Sequence, residues 1–294
     1  MRIFLTGATG FVGRHMRKAL VEDGHQVIGF ARHPEADEKN VTWLSGDIRD
    51  TDALVDGMAG CDAVVHLVGI IREKGAATFA AIHVEGTEHV ITAAQQVGIS
   101  RYLHMSALGA GPKQPTEYFR TKWQAEELVR ATGLDYTIFR PSLIFGPGDG
   151  FINTLVNQLR FYPIIPIIGA GEYTFAPISI YAVCAAFVQA LRLDGPTLAK
   201  TFELCGPEIL TYTQIVDLLA AHTRIRKPRI HIKPATIARL IRGVRTLHIS
   251  LPITQDELTM LMMGSVCADE AARAVFDLPQ ITLGEGIKEY IRGR

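Results

Sequence analysis

The chain lacks a long apolar run, a net charge and any close pair of cysteines, and each absence removes a class of protein. The longest apolar stretch, Phe161 to Ala170, is about ten residues broken by Pro163 and Pro166, where a bilayer span takes roughly twenty. Lys plus Arg (30) balances Asp plus Glu (30) over 294 residues. No global field therefore points to nucleic acid or membrane as a partner. Cys61, Cys184, Cys205 and Cys267 lie far apart with no C-x-x-C. They read as buried thiols in a reducing compartment, not as a disulfide set or a zinc site. The histidines show no metal-ligand spacing. Arg2 to Thr6 already reads as a core strand, leaving no room for a signal or transit peptide, so the cytoplasm is the expected location.

What is present is a large apolar fraction, 48% against 20% charged, which suits a globular protein with a substantial core. Through the first two-thirds, short β-rich runs alternate with helical patterns. Strands are expected at Ile3–Thr6, Gln26–Ala31, Val41–Ser45, Ala63–Leu67, Tyr102–Met105, Asp135–Arg140 and Thr201–Leu204. Helices are expected at Phe11–Glu22, Asp52–Met58, Ala77–Val97, Thr116–Thr132 and Tyr181–Leu191. This alternation predicts an α/β fold, a Rossmann-type doubly wound parallel sheet. Beyond Pro141 the pattern loosens into Gly- and Pro-rich connections, read as a smaller discontinuous cap on the substrate side of a cleft. The expected division is 1–150 for the dinucleotide domain, with 176–222 returning to it, and 151–175 with 223–294 for the cap.

Gly7-Ala8-Thr9-Gly10-Phe11-Val12-Gly13 follows the first strand and opens the first helix. Gly7 permits the tight turn, Gly10 lets the backbone approach a pyrophosphate, and Gly13 allows close helix–strand packing. Free N–H groups from Thr9 to Val12 then face the phosphates of a dinucleotide. The second strand ends Ala31-Arg32-His33, with no acid at its tip. An acid there would hold the ribose hydroxyl of NAD, whereas Arg32, helped by Arg14, suits the 2′-phosphate of NADP(H). NADP(H) is therefore favoured over NAD(H), with a merely solvated Arg32 as the alternative. Asp47 and Ile48 follow the third strand, where a carboxylate can accept the adenine amine; an N-cap role for Asp47 is the competing reading. Leu67-Val68-Gly69, after the fourth strand, would pass beneath the adenosine ribose.

Tyr118 and Lys122 stand four residues apart on one helix face. A nearby ammonium favours the phenolate, so Tyr118 is expected to have a lowered pKa and to exchange a proton with a carbonyl or alcohol oxygen. Lys122 can also donate to the nicotinamide ribose, and Ser106, just past the fifth strand, can bind the same substrate oxygen.

With these residues in hand, the chain resembles the short-chain dehydrogenase/reductase superfamily, extended or atypical branch. Three segments narrow the resemblance: Ser106–Ala110, Tyr118–Glu127 and Thr137–Asp149. Together they are similar to the atypical group that includes the nucleotide-binding accessory subunit of respiratory complex I. The resemblance implies bound NADP(H), with Pro141 and Ile144 near the nicotinamide. In that subunit the cofactor is structural and lies near a quinone site, so turnover is not implied. Catalytic relatives usually place an Asn in the helix after the fourth strand as part of a proton relay, where this chain has His83.

From Leu218 to Gln255 there is no acidic residue, and Arg224, Arg226, Lys227, Arg229, Lys233, Arg239, Arg242 and Arg245 fall within that span. Ile237, Leu240, Ile241, Val244 and Leu247 sit at helical spacing. A basic amphipathic helix can meet anionic lipid or an acidic partner, bind a phosphorylated substrate, or be an ordinary solvated face. Pro163–Ile168 is either cap core or the wall of a pocket for an apolar quinone- or isoprenoid-like ligand. Three functions follow for a chain acting on a small molecule. The first is an NADP(H)-dependent oxidoreductase; the second is a non-catalytic subunit of a quinone enzyme, peripheral to a membrane. The third, a sugar-nucleotide epimerase or dehydratase, wants the ribose-binding acid that this chain lacks.

Overall fold

The strand segments of the first 141 residues are apolar toward both faces, as a sheet covered by helices on each side requires. The computed structural model describes residues 1–192, 195–245 and 253–292. Along the chain it first forms β1 (Arg2–Thr6), α1 (Phe11–Glu22), β2 (Gln26–Ala31), β3 (Val41–Ser45), α2 (Thr51–Met58) and β4 (Ala63–His66). A π-helical turn at Ala80–Glu85 leads into α3 (Gly86–Gln96), then β5 (Arg101–Met105), α4 (Glu117–Arg130) and β6 (Asp135–Pro141). There follow β7 (Ile144–Phe145), α5 (Phe151–Phe161), β8 (Ile165–Ile168), β9 (Thr174–Phe175) and β10 (Ile178–Ser179). Next come α6 (Ile180–Arg192), β11 (Lys200–Leu204), β12 (Leu210–Thr211), α7 (Tyr212–Thr223), β13 (Arg229–Ile232) and α8 (Pro234–Arg245). The last helices are α9 (Gln255–Met263), α10 (Ala271–Val275) and α11 (Leu283–Tyr290).

The chain divides into two compact units. The first comprises Met1–Pro141, Ile180–Leu204 and Ala268–Pro279. It holds a seven-stranded sheet in the order β11-β6-β5-β4-β1-β2-β3, and every neighbouring pair is parallel. This is the doubly wound Rossmann-type sheet expected. Phe4, Phe30, Leu54, Met58, Val64 and Tyr102 are among the buried side chains of its core.

The second unit comprises Ser142–Ser179, Cys205–Cys267 and Gln280–Arg294. It packs Phe145, Leu155, Ile165, Ile167, Phe175 and Leu219 with Leu283 and Ile287 of α11. Pro163–Ile168 thus contributes Ile165 and Ile167 to that unit's core. The return to the sheet is shorter than the expected 176–222: α7 packs in the second unit, because its apolar stripe Ile215, Val216 and Leu219 meets α5 there. Cap residues also begin at Ser142, not after 150.

Two further expectations need correction. The single helix expected at Ala77–Val97 forms without interruption from Phe79 to Gln96 but begins with a π-helical stretch at Ala80–Glu85, and at Gly86 it packs closely: a Cβ there would stand 2.4 Å from Ile48 Cδ1. The four cysteines are not all free: Cys205 and Cys267 are bonded, while Cys61 and Cys184 are buried thiols. Their 62-residue separation hid the pairing, since only the folded second unit brings the two ends of its longest segment together. In the basic segment, Leu247 lies outside the described residues, as do the side chains of Leu240, Ile241, Arg242, Val244 and Arg245. No described helix is long and apolar enough to cross a membrane.

Candidate functional site

In parallel sheets of this kind ligands lie outside the carboxyl ends of the strands, where the strand order reverses. That point here is between β1 and β4. Gly7 follows β1, Arg32 follows β2, Asp47 and Ile48 follow β3, Leu67–Gly69 follow β4, Ser106 follows β5, and Pro141 ends β6. The first unit therefore gathers most of the expected site residues at one edge of its sheet. Ile144 opens β7 in the second unit.

The glycine loop has the geometry of a cradle. Gly7 has φ of +71°, and a Cβ on it would stand 3.1 Å from the Leu67 carbonyl carbon and the Val68 nitrogen. A Cβ on Gly13 would stand 2.1 Å from the Gly7 oxygen, so α1 meets β1 at a distance only glycine allows. Gly10 caps α1, with no side chain bonded to the free N–H groups and no acid in the first turn. The helix start is thus an open, positively polarised anion site flanked by Thr9, Phe11 and Val12, and it fits a pyrophosphate. Beneath it, Thr6 Oγ1 bonds His66 Nδ1 at 2.7 Å and accepts from Leu67 N at 3.3 Å, tying β1 to the start of Leu67–Gly69.

Arg32 and Arg14 are both exposed at this edge. Asp47 is held by Arg49, whose N, Nε and Nη2 donate at 3.0, 2.9 and 2.8 Å. Those hydrogen bonds, opposed by burial and helped by the Arg49 and Arg32 charges, keep its carboxyl at about 2. The N-cap of α2 is Asp50, accepting from Ala53 N at 3.1 Å, so Asp47 does not serve there. Ile48 is buried against Gly86, with its side chain turned from solvent.

The α4 helix starts at a Thr116 cap and carries both Tyr118 and Lys122. Lys122 is buried and donates from Nζ to the Met105 oxygen at 3.0 Å. A Cβ on Gly69 would stand 2.9 Å from that nitrogen, so the ammonium sits directly under an open glycine. Burial lowers Lys122 to about 8, against the opposing pull of Glu126. The Tyr118 ring lies among Phe79, His83 and Phe119, at centroid distances of 5.9, 5.5 and 5.3 Å. This surrounding reverses the sequence expectation: desolvation pushes the phenol up to about 12, and Tyr118 is a neutral O–H donor.

Ser106 is also corrected. Its hydroxyl donates to Glu126 Oε1 at 2.5 Å, and Glu126 is fully buried. Arg140 clamps the same carboxylate from Nε and Nη2 at 2.8 and 2.6 Å, and Arg130 adds a bond at 2.6 Å. A hydroxyl donating into this network has no second proton for a substrate oxygen. The sequence signal was available: Glu126 lies four residues beyond Lys122 on the same helix.

His83 lies in the π turn and is buried. Thr121 Oγ1 donates to the Glu117 oxygen at 2.9 Å, leaving it to accept from His83 Nδ1 at 2.9 Å. Nε2 lies 3.1 Å from both the N and the O of Ile70; accepting the Ile70 N–H gives each of the three donors an acceptor, whereas donating to the Ile70 oxygen leaves that N–H unpaired. Both ring nitrogens are committed, and burial with the Lys122 charge holds the imidazole neutral, at about 2. His83 thus fastens the segment after β4 to the helix that carries Tyr118.

A glycine cradle at the start of α1, an open edge at the sheet's switch point and a buried lysine under Gly69 define a dinucleotide-binding α/β protein. The NAD(P)H-binding family model matches residues 7–154. The chain belongs to that family, within the extended short-chain dehydrogenase/reductase-like proteins. It is 31% identical over 290 residues to an Arabidopsis thaliana protein, "NADH dehydrogenase [ubiquinone] 1 alpha subcomplex subunit 9, mitochondrial", covering 91% of this chain and 71% of that one. It is 28% identical to the 2-alkyl-3-oxoalkanoate reductase of Stenotrophomonas maltophilia, covering 98% of each. A dTDP-glucose 4,6-dehydratase from Streptomyces venezuelae, solved with NAD bound, shares the fold with a TM-score of 0.77 at 20% identity, over 99% and 96% of the two chains.

Proposed function

We propose that the chain is an NADP(H)-dependent reductase of a ketone on an apolar molecule. The observation that carries this reading is the pairing on α4 of a neutral, half-buried phenol at Tyr118 with the buried Lys122 ammonium beneath Gly69. When bound, NADPH supplies a hydride to a carbonyl carbon. Tyr118, held protonated by its aromatic surroundings, donates its proton to the carbonyl oxygen, and the product is an alcohol. Lys122 holds ribose hydroxyls from below Gly69, and its charge steadies the phenolate that Tyr118 becomes. The α1 start holds the pyrophosphate, and Arg32 and Arg14 hold the 2′-phosphate. The relative named as a 2-alkyl-3-oxoalkanoate reductase, matched over nearly its whole length, supports both the reaction and the apolar substrate class.

A second reading has its own observation. The Ser106 hydroxyl is committed to Glu126, which removes one expected substrate contact. This favours a cofactor held for structure, as an accessory subunit of a quinone enzyme, and the Arabidopsis relative agrees. NADPH consumption with a 2-alkyl-3-oxoalkanoate, by wild type and Tyr118→Phe, separates the two. The reductase reading expects turnover that falls about 100-fold or more in the variant, with NADPH affinity unchanged. Turnover that Tyr118→Phe leaves intact sinks Tyr118 as the acid. No turnover, with nucleotide retained through purification, supports the accessory reading.

A further inference from the structure

Two loops of the second unit meet at one end of the β8–β13 pair. The strands are parallel, with Ile165 opposite Arg229, and Ile165 N donates to the Pro228 oxygen at 2.9 Å. The segment entering β8 is therefore beside the segment entering β13. The first presents Phe161 and Tyr162, with 78% and 44% of their surface exposed, followed by an exposed Pro163. The second presents Arg224, Arg226, Lys227 and Arg229 within six residues.

The two loops are fastened to each other. Lys227 Nζ donates to the Arg160 oxygen at 3.0 Å and to the Tyr162 oxygen at 2.5 Å. These bonds satisfy carbonyls at the end of α5 that would otherwise need water. The aromatic tip can thus enter a less polar medium without leaving those carbonyls unpaired. The charge is one-sided: no acid occurs from Gly150 to Gly171 or from Leu218 to Gln255. Asp217 pairs with Arg229. In a chain of zero formal net charge, this is a local excess of cations.

We propose that this tip docks the protein on an anionic lipid bilayer, with Phe161 and Tyr162 entering the headgroup boundary and the arginines meeting lipid phosphates. Paired exposed aromatics beside a loop with exposed Arg224 and Arg226 are what an anionic interface selects. Tyrosine suits the boundary, with an apolar ring and a polar end. A stable protein partner would need about 800 Å² of complementary surface per side, and a tip of two aromatic rings beside a basic loop is a poor match for that. The proposal does not depend on the reductase reading.

The test is co-sedimentation of the full chain with vesicles of phosphatidylcholine alone, or with about 30 mol% phosphatidylglycerol. Binding is expected only to the anionic vesicles, weakening about tenfold or more when salt is raised from ~0.05 to ~0.5 M. The Phe161→Ser/Tyr162→Ser double variant should bind about tenfold less, and Arg226→Glu about fivefold less. Both should keep wild-type melting and NADPH affinity. Tyr162→Trp should shift its emission to the blue when anionic vesicles are added. No binding by the wild type, binding indifferent to these variants, or an unmoved Tyr162→Trp emission overturns the proposal. So does a concentration-dependent dimer that the double variant abolishes without any vesicle binding, which would assign the tip to a second copy.

Discussion

His83 Nδ1 lies 2.9 Å from the Thr121 hydroxyl oxygen, so a side chain 38 residues earlier is bonded to the helix that bears Tyr118 and Lys122. Its other nitrogen takes the Ile70 N–H at 3.1 Å. The π turn makes this possible, because the imidazole reaches both partners from a widened turn of helix. His83→Leu leaves the Ile70 N–H without its acceptor and should cost about 1–3 kcal/mol, read as a lowered denaturant midpoint.

The same histidine sets a pH dependence. Burial holds His83 at about 2 and His66 at about 3, and it also lowers His104. Unfolding returns each to about 6.5, so the unfolded chain binds protons that the folded chain does not. Stability from these groups is complete above about pH 6.5 and falls below it, by up to about 1.4 kcal/mol per pH unit per histidine. Melting temperature should therefore drop between about pH 7 and about pH 5, less steeply in His83→Leu. A variant slope equal to wild type would show that His83 protonates freely when folded.

Gly13→Ala should abolish nucleotide binding and lower the melting temperature. Its Cβ would meet the Gly7 oxygen at 2.1 Å and the Ala8 Cα at 2.8 Å, both backbone atoms that cannot turn aside. Overpacking of this kind costs typically about 1–3 kcal/mol, and α1 must move off β1 to relieve it. Calorimetry with NADPH and a thermal melt are the measurements. Near-normal affinity would mean that this helix start does not hold the pyrophosphate.

Arg32 is exposed beyond β2, whose tip Ala31-Arg32-His33 carries no acid, although the Arg32 charge is felt by Asp47. NADPH should bind at least about tenfold tighter than NADH, about 1.4 kcal/mol, and Arg32→Ala should remove most of that preference. Titrating both nucleotides into both proteins decides it. Equal affinities in the wild type would leave Arg32 as a solvated charge.

Ser106→Ala should leave any ketone turnover within about threefold of wild type while costing about 1 kcal/mol of stability. Glu126→Ala should cost more, about 3–5 kcal/mol, because Arg140 and Arg130 lose the buried carboxylate they share. A large rate loss in Ser106→Ala, with stability intact, would restore Ser106 to the reacting centre.

The glycine loop and most of the strands were legible because their causes are local. Gly7 needs its positive φ and Gly13 its missing Cβ wherever they occur, and runs such as Ala63-Val64-Val65 declare a sheet buried on both faces. The spacing of Tyr118 and Lys122 on one helix face was likewise a matter of helical period alone. What those two groups do was not local. Phe79 and His83, far back in the chain, surround the Tyr118 ring, so desolvation raises a pKa that the neighbouring ammonium alone would lower. Ser106 turns to Glu126 because Arg140, on another strand, anchors that carboxylate. Cys205 finds Cys267 only after the second unit folds. Sequence by itself determined that the chain cradles a dinucleotide, because backbone sterics and helix-end polarity act within a few residues. Tertiary structure decided the protonation state and partners of the groups around it, because burial and ion pairing depend on what distant segments bring near.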